Sequence, residues 1–286
     1  GLASFSDPRY ARPVNGYEQA MLSPGVQLVF GLVAAALSMA VLWAVHLRTR
    51  NAGLVDVGWA GAIGALGVFF AATSPGYVPR RIMLAAMIGL WSLRLTTYLL
   101  RDRVLGKPEE GRYRTLRKHW GESANPKLFF FFQAQAVLAF LFALPVLVAS
   151  RHPLDALRPW DVLALAVWVV GFGGIAVSDR QLERFKRNPF NRGKTCREGL
   201  WRYSRHPNYF FEWIHWWSYA VGALGAPFWW APMLLPFVLL VFILKVTGIP
   251  PTEAQALASR GEDYRRYQRT TSAFVPWFPR DEGPSP

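Results

Sequence analysis

Thiol chemistry is almost missing from this chain: one residue of 286, Cys196, is a cysteine, and it lies in a basic stretch. A single cysteine builds neither a disulfide framework nor a thiolate metal site, so Cys196 reads as an ordinary loop residue. Histidine is scarce too. The five (His46, His119, His152, His206, His215) lack the paired spacing that puts two metal ligands on one helix face, so no metal is expected. Acidic residues number 18 against 32 Lys and Arg. No phosphate-loop signature, Ser-His-Asp order or channel-filter sequence occurs. No charged segment followed by an apolar core opens the chain, which leaves no recognisable cleavable signal. Alternating apolar and polar positions are also lacking, which excludes a barrel of transmembrane strands.

Apolar residues, by contrast, make up 52% of the chain, with 13 Trp, 20 Phe and 10 Tyr. Seven runs are long enough to cross a bilayer core of about 30 Å as helices: about 25–46, 53–72, 81–100, 128–149, 160–178, 208–224 and 227–247. The last two, joined through Gly225-Ala226-Pro227, form a helical hairpin. The expected fold is therefore all-α, a polytopic membrane protein of about seven transmembrane helices. Residues 25–280 form one domain, residues 1–24 an N-terminal segment and 281–286 a polar tail. Residues 1–20 are polar and lack Met, so Met21 reads as the native start and the preceding stretch as partly vector-derived, with a native amphipathic arm as the alternative.

The net charge of +14 suggests nucleic acid until its placement is considered. The cations fall between the apolar runs rather than on one solvated face, so no nucleic-acid partner is expected; the partner is the lipid bilayer. With the N-terminus outside, the inner loops and the tail from Lys245 hold 25 of the 32 cations and the outer segments 6. That asymmetry places the C-terminus in the cytoplasm of a multi-pass membrane protein. The two long inner loops and the tail are rich in Arg, Tyr, Asn and Glu and are expected to form an ordered cytoplasmic cap.

Polar residues within apolar runs are costly and mark function or a buried partner. Asp56 opens the second run, either as a site carboxylate or as an acid favoured by the helix dipole. Trp91, Arg94, Tyr98 and Arg101 share one face of the third run by helical periodicity. Arg94 either takes part in a site or pairs with Asp56 as structural glue. Arg101 and Arg103 sit at the inner mouth, within reach of an anion. The richest segment runs from Asp179 through Arg197, Arg202, Arg205, His206, Asn208 and Tyr209 to Glu212. Its arginines suit phosphate, His206 suits hydrogen bonding, and Asn208 and Glu212, four apart, suit an amide or hydroxyl. The last such place, Pro250-Pro-Thr-Glu253 with the tail from Glu262 to Pro276, either lies amphipathically at the interface or folds back over the cap. Gly171-Phe-Gly173-Gly174-Ile-Ala176 looks like a nucleotide loop but follows no strand, and reads as small-residue helix packing.

Gly199-Leu-Trp-x-Tyr203-x-Arg205-His206-Pro207-Asn208-Tyr209-x-x-Glu212, with Trp91–Arg101 and the Tyr264–Pro276 tail, resembles the steroid 5-alpha-reductase superfamily. The likeness is closest to a bacterial branch long catalogued as a domain of unknown function. It implies seven helices around a cavity, NADPH entering from the cytoplasmic side, and reduction of an enone-type C=C bond in a steroid- or isoprenoid-like lipid. Asp179, Arg197, Asn208, Tyr209 and Glu212 fall on the cofactor motif, Arg94, Tyr98 and Arg103 on that of span three, and Tyr264 loosely on the tail. The chain departs at the catalytic pair. Asp56 lies near the family's glutamate, and Trp91 stands where steroid-reducing members carry tyrosine. Asp56, Tyr98 and Trp91 are thus the catalytic residues the resemblance implies, with Trp91 only a hydrogen-bond donor. The Arg-His-Pro core also occurs in isoprenylcysteine and phospholipid N-methyltransferases, which makes an S-adenosylmethionine-dependent membrane methyltransferase the alternative. Oligomeric state is not encoded in any of these features.

Overall fold

The computed structural model describes residues 21–281, and the N-terminal stretch discussed above lies outside them. Among the described residues there are ten α-helices and no strand: α1 Pro24–Thr49, α2 Leu54–Thr73, α3 Val78–Leu99, α4 Gly111–Trp120, α5 Ala124–Ser150, α6 Pro159–Arg187, α7 Pro207–Gly222, α8 Trp230–Val241, α9 Ile249–Arg260 and α10 Glu262–Thr270. Starts follow local chemistry. Ser23 caps α1 through its hydroxyl to the Val26 N–H, with Pro24 in the first turn. Prolines also open α3, α6, α7 and α9.

Six helices, or continuous helical runs, are long and apolar enough to cross a membrane: Pro24–Thr49, Leu54–Thr73, Val78–Val104, Gly111–Ser150, Pro159–Arg187 and Trp230–Arg260. The sequence suggested seven. The remaining stretch is α7, a helix of 16 residues, about 24 Å at the usual rise. It forms the expected hairpin with α8 through the turn after Gly222.

One end of the bundle is locked by a buried ion cluster. Arg80 Nε lies 3.1 Å from both Asp161 oxygens. Arg158 Nη2 donates to Asp161 at 2.7 Å and to the Gly222 carbonyl at 2.9 Å. Arg80 also donates to the carbonyls of Leu154 and Ala156. One carboxylate so joins the start of α3, the loop before α6, and the α7–α8 turn. On the same end Arg151 bridges to Gln27 at 2.7 Å and to the Leu22 carbonyl at 2.6 Å, tying α5 to α1.

Midway along, α6 and α7 touch backbone to backbone. A Cβ built on Gly171 would stand 2.6 Å from the His215 nitrogen, and one on Gly174 would stand 2.2 Å from the Phe211 ring. The glycine-rich run is therefore a packing seam, as the sequence suggested. Small residues allow such approach, and dispersion across the contact holds it in an apolar solvent.

Removing Asp161 leaves two guanidinium groups buried without a counter-charge. Asp161→Ala is expected to cost about 3–5 kcal/mol, read as a lowered thermal midpoint in detergent. An unchanged midpoint would show that the cluster does not lock this end.

Candidate functional site

The opposite end carries a cap assembled from residues 100–123, 188–206 and 247–280. Its first part is organised around two carboxylates. Asp56, in the first turn of α2, accepts from Arg103 at 2.7 Å and Tyr113 at 3.0 Å, and pairs with Arg112. Glu109 accepts from the Ala52 N–H at 2.9 Å and from Arg117 at 2.8 Å. Burial alone would raise the Glu109 carboxyl, but the Arg117 bonds and the Ala52 N–H hold it below the usual range. Arg94 does not reach Asp56; its partner is Asp179 on α6.

The second part encloses a cavity of about 970 Å³ between the end of α6, the 188–206 segment, the first turn of α7, α9 and α10. Arg205, His206, Asn208, Tyr209 and Tyr264, all expected site residues, line it. Lys186, Arg187, Arg192, Lys194 and Arg260 add five more cations, and no Asp or Glu is in the wall. Cys196, buried, also lines it, and burial pushes its thiol up.

The wall is set from behind by Glu253. Its carboxylate accepts from Arg205 at 2.7 Å, Gln268 at 2.7 Å and Tyr264 at 3.3 Å, with His206 Nε2 at 3.2 Å. His206 stacks on Tyr209 with ring centres 5.3 Å apart, and the Tyr209 hydroxyl meets Thr252 at 3.1 Å. Arg205 is further bound to the carbonyls of Gln268 and Thr271. Lys186, Arg192 and Lys194 make no ion pair among the described residues. Burial pushes the Tyr264 and Tyr267 hydroxyls well above the ordinary phenol value, so both stay protonated donors.

Other expected residues lie around this cavity rather than in its wall. Arg197 pairs with Asp263 at 2.9 Å. Asp179, paired with Arg94, also lies 3.5 Å from Asn208 Nδ2. Glu212 is one turn deeper on α7. It accepts from Trp91 and Trp216, each indole N–H at 3.0 Å, and Trp91 stacks on His215. Trp91 is fully buried whereas Tyr98 is 52% exposed, so burial on the shared face fades toward the cap. Arg101 is exposed, and Arg103 serves Asp56. Asp56, Trp91 and Tyr98 do not line the cavity.

Sequence reasoning marked Glu253 and Tyr267 only as part of the C-terminal segment, with no role of their own, and did not single out Arg192 or Lys194. Glu253 follows two prolines in an otherwise bland helix, and only the fold brings it to His206. The tail folds back over the cap. Trp277 N–H donates to the Tyr203 carbonyl at 2.9 Å, and the Ser204 hydroxyl to that of Phe274 at 2.8 Å.

Residues 42–271 match a family described as a protein of unknown function, DUF1295. The chain belongs to that family. Two curated relatives come from the fission yeast Schizosaccharomyces pombe. Uncharacterized protein C594.04c is 29% identical over 224 residues, covering 69% of this chain and 65% of its own length. Uncharacterized protein C9.08c is 28% identical over 177 residues, covering 56% and 57%. The chain thus spans less than two thirds of either relative. No solved structure matches.

The cap carboxylates give a pH dependence. Burial would raise Asp263, but the Thr195 N–H at 2.7 Å and Arg197 hold it below its ordinary value, as with Glu109. A depressed folded-state pKa adds stability above the unfolded value, lost as pH falls through the folded one. The thermal midpoint should therefore drop as pH is lowered from about 5 to 3, and Asp263→Asn together with Glu109→Gln should flatten that drop. An equally steep drop in the double variant would remove these two acids from the explanation.

Proposed function

We propose that the protein is a membrane-embedded NADPH-dependent reductase of a C=C bond in a steroid- or isoprenoid-like lipid, of the steroid 5-alpha-reductase kind. The observation that carries this reading is the sign of the charge around the cap cavity: six Lys and Arg and no carboxylate. A phosphate-bearing dinucleotide suits that field, whereas S-adenosylmethionine, with its cationic sulfonium, does not. The volume, about 970 Å³, lies at the upper end of the range for cofactor pockets. In this reading the cap faces the cytoplasm, in keeping with the 25-to-6 distribution of Lys and Arg.

Lys186, Arg192 and Lys194, whose charges are not paired, would meet phosphates. The His206–Tyr209 stack and Tyr264 offer flat faces and donors to the ring systems, and Asn208 an amide at the membrane-facing floor. Bound there, NADPH supplies the hydride for one carbon of the double bond, while the other carbon takes a proton from a protein group or water. Trp91 gives its N–H to Glu212 and so orients that carboxyl rather than delivering a proton. The resemblance implies Asp56 or Tyr98 as proton donor; Asp56 is taken up by Arg103, Arg112 and Tyr113, which leaves Tyr98 or water for that role, and the lipid would approach along α2 and α3.

Purified protein titrated with NADPH and with S-adenosylmethionine, read by thermal shift, tests the proposal. NADPH should stabilise at the lower concentration. Arg192→Glu with Lys194→Glu should weaken that response at least about tenfold, ~1.4 kcal/mol, with the ligand-free midpoint unchanged. NADPH should also slow alkylation of Cys196, the chain's one thiol. Tighter stabilisation by S-adenosylmethionine would replace the reductase by a methyltransferase, and no response to either would remove the cofactor site. Glu212→Ala, one turn below the floor, should abolish the NADPH response in a protein that still folds in detergent.

A further inference from the structure

A second, smaller cavity of about 360 Å³ lies beneath the C-terminal tail, on the other side of Arg205 from the cap cavity. Arg205, Arg269 and Arg280 line it together with Thr270, Thr271 and Ser272, and no carboxylate is in its wall. Trp277 and Phe278, 69% and 75% exposed, also line it. Large aromatic side chains are seldom left so open beside three guanidinium groups unless something covers them.

The depth of this cavity in the bilayer follows from its neighbours. Phe274, four residues before Phe278, is buried against Phe210 and Trp213, with ring centres 5.6 and 5.8 Å away. Those two rings belong to the first two turns of α7. The same cluster includes Leu240, Ile243 and Leu244, where the α8 run leaves its apolar stretch. The tail thus rests at the boundary between apolar and polar ends of the spans, where indole and phenyl rings meet lipid headgroups. Two further contacts fix it there: the Arg205 N–H donates to the Ser272 carbonyl, and the Arg280 N–H to that of Thr270, both at 2.8 Å.

The cations are unequally engaged. The Arg205 guanidinium is held by Glu253 and by two carbonyls. Arg269 is held only on one edge, 3.0 Å from the exposed Glu262. The Arg280 side chain makes no ion pair among the described residues. We infer that this cavity binds the phosphate headgroup of an anionic phospholipid, with Arg269 and Arg280 as its charge partners and Trp277 and Phe278 against its glycerol and upper acyl chain. Guanidinium forks match phosphate oxygens, and a membrane-boundary position supplies lipid rather than a dissolved anion. The bound lipid would clamp the tail, and through Ser204 and Tyr203 the loop that carries Arg205 and His206. The site does not depend on what fills the cap cavity.

Protein in neutral detergent is titrated with phosphatidylglycerol, phosphatidylcholine and inorganic phosphate, and the thermal midpoint is followed. Phosphatidylglycerol should raise it at about tenfold lower concentration than phosphatidylcholine. Arg269→Ala with Arg280→Ala should erase that difference, as should Trp277→Ala with Phe278→Ala. Arg192→Ala with Lys194→Ala, in the cap cavity, should leave it intact. Equal responses to the two lipids, a preference that survives loss of both arginines, or one removed by the cap-cavity variant would overturn the assignment. Phosphate reproducing the full effect would overturn it too, marking a site for a soluble anion.

Discussion

Close contact between α6 and α7 at Gly171 is the constraint from which the rest of the molecule is built. With no side chain between the two backbones, the first turn of α7 comes to lie beside the last turns of α6, and those two ends form adjoining walls of the cap cavity. The Asp161 cluster fixes the far end of the same pair. Glu212 accepts its two indole N–H groups on the stretch between, where an unpaired carboxylate would not be tolerated in an apolar bundle. A side chain larger than hydrogen at position 171 would part the helices and tilt Asn208 away from the floor.

The distribution of acids explains the charge of the cavity. Among the described residues, Asp56, Glu109, Asp263 and Glu253 each hold arginines that fasten one piece of the cap to another. Each faces away from the cavity or stands behind its wall. Most of their partners, Arg103, Arg112, Arg117 and Arg197, stand outside the wall and hold the cap together, while Arg205 both pairs with Glu253 and lines the cavity. Structure and binding thus draw on largely separate arginines that meet at Arg205.

Much of this was legible in the sequence, for reasons that differ by element. Apolar runs report helices because a bilayer leaves few other ways to satisfy backbone groups, and the hairpin turn at Gly225 was marked by its glycine and proline. The 205–209 segment declared itself through polar residues at the mouth of a span, and five expected residues do converge on one cavity. The length of α7 was less legible, since 208–224 reads as a full span and the helix stops at Gly222. Pairings were not legible at all. Arg94 meets Asp179 rather than Asp56, and Glu253 meets His206 across 47 positions, because those partners are set by how helices stack. The same holds for Arg192 and Lys194, which look like ordinary inner-loop charge until the loop is folded.

Glu253 has a consequence of its own. Four donors from two segments, the loop before α7 and α10, converge on the two oxygens of this α9 residue, so Arg205, His206, Tyr264 and Gln268 are energetically one unit rather than four independent contacts. Substitutions among them would be strongly non-additive, the second change costing far less than the first. For the same reason, movement of the loop, α9 or α10 is felt by the other two. The cavity would then open and close as a whole, not wall by wall.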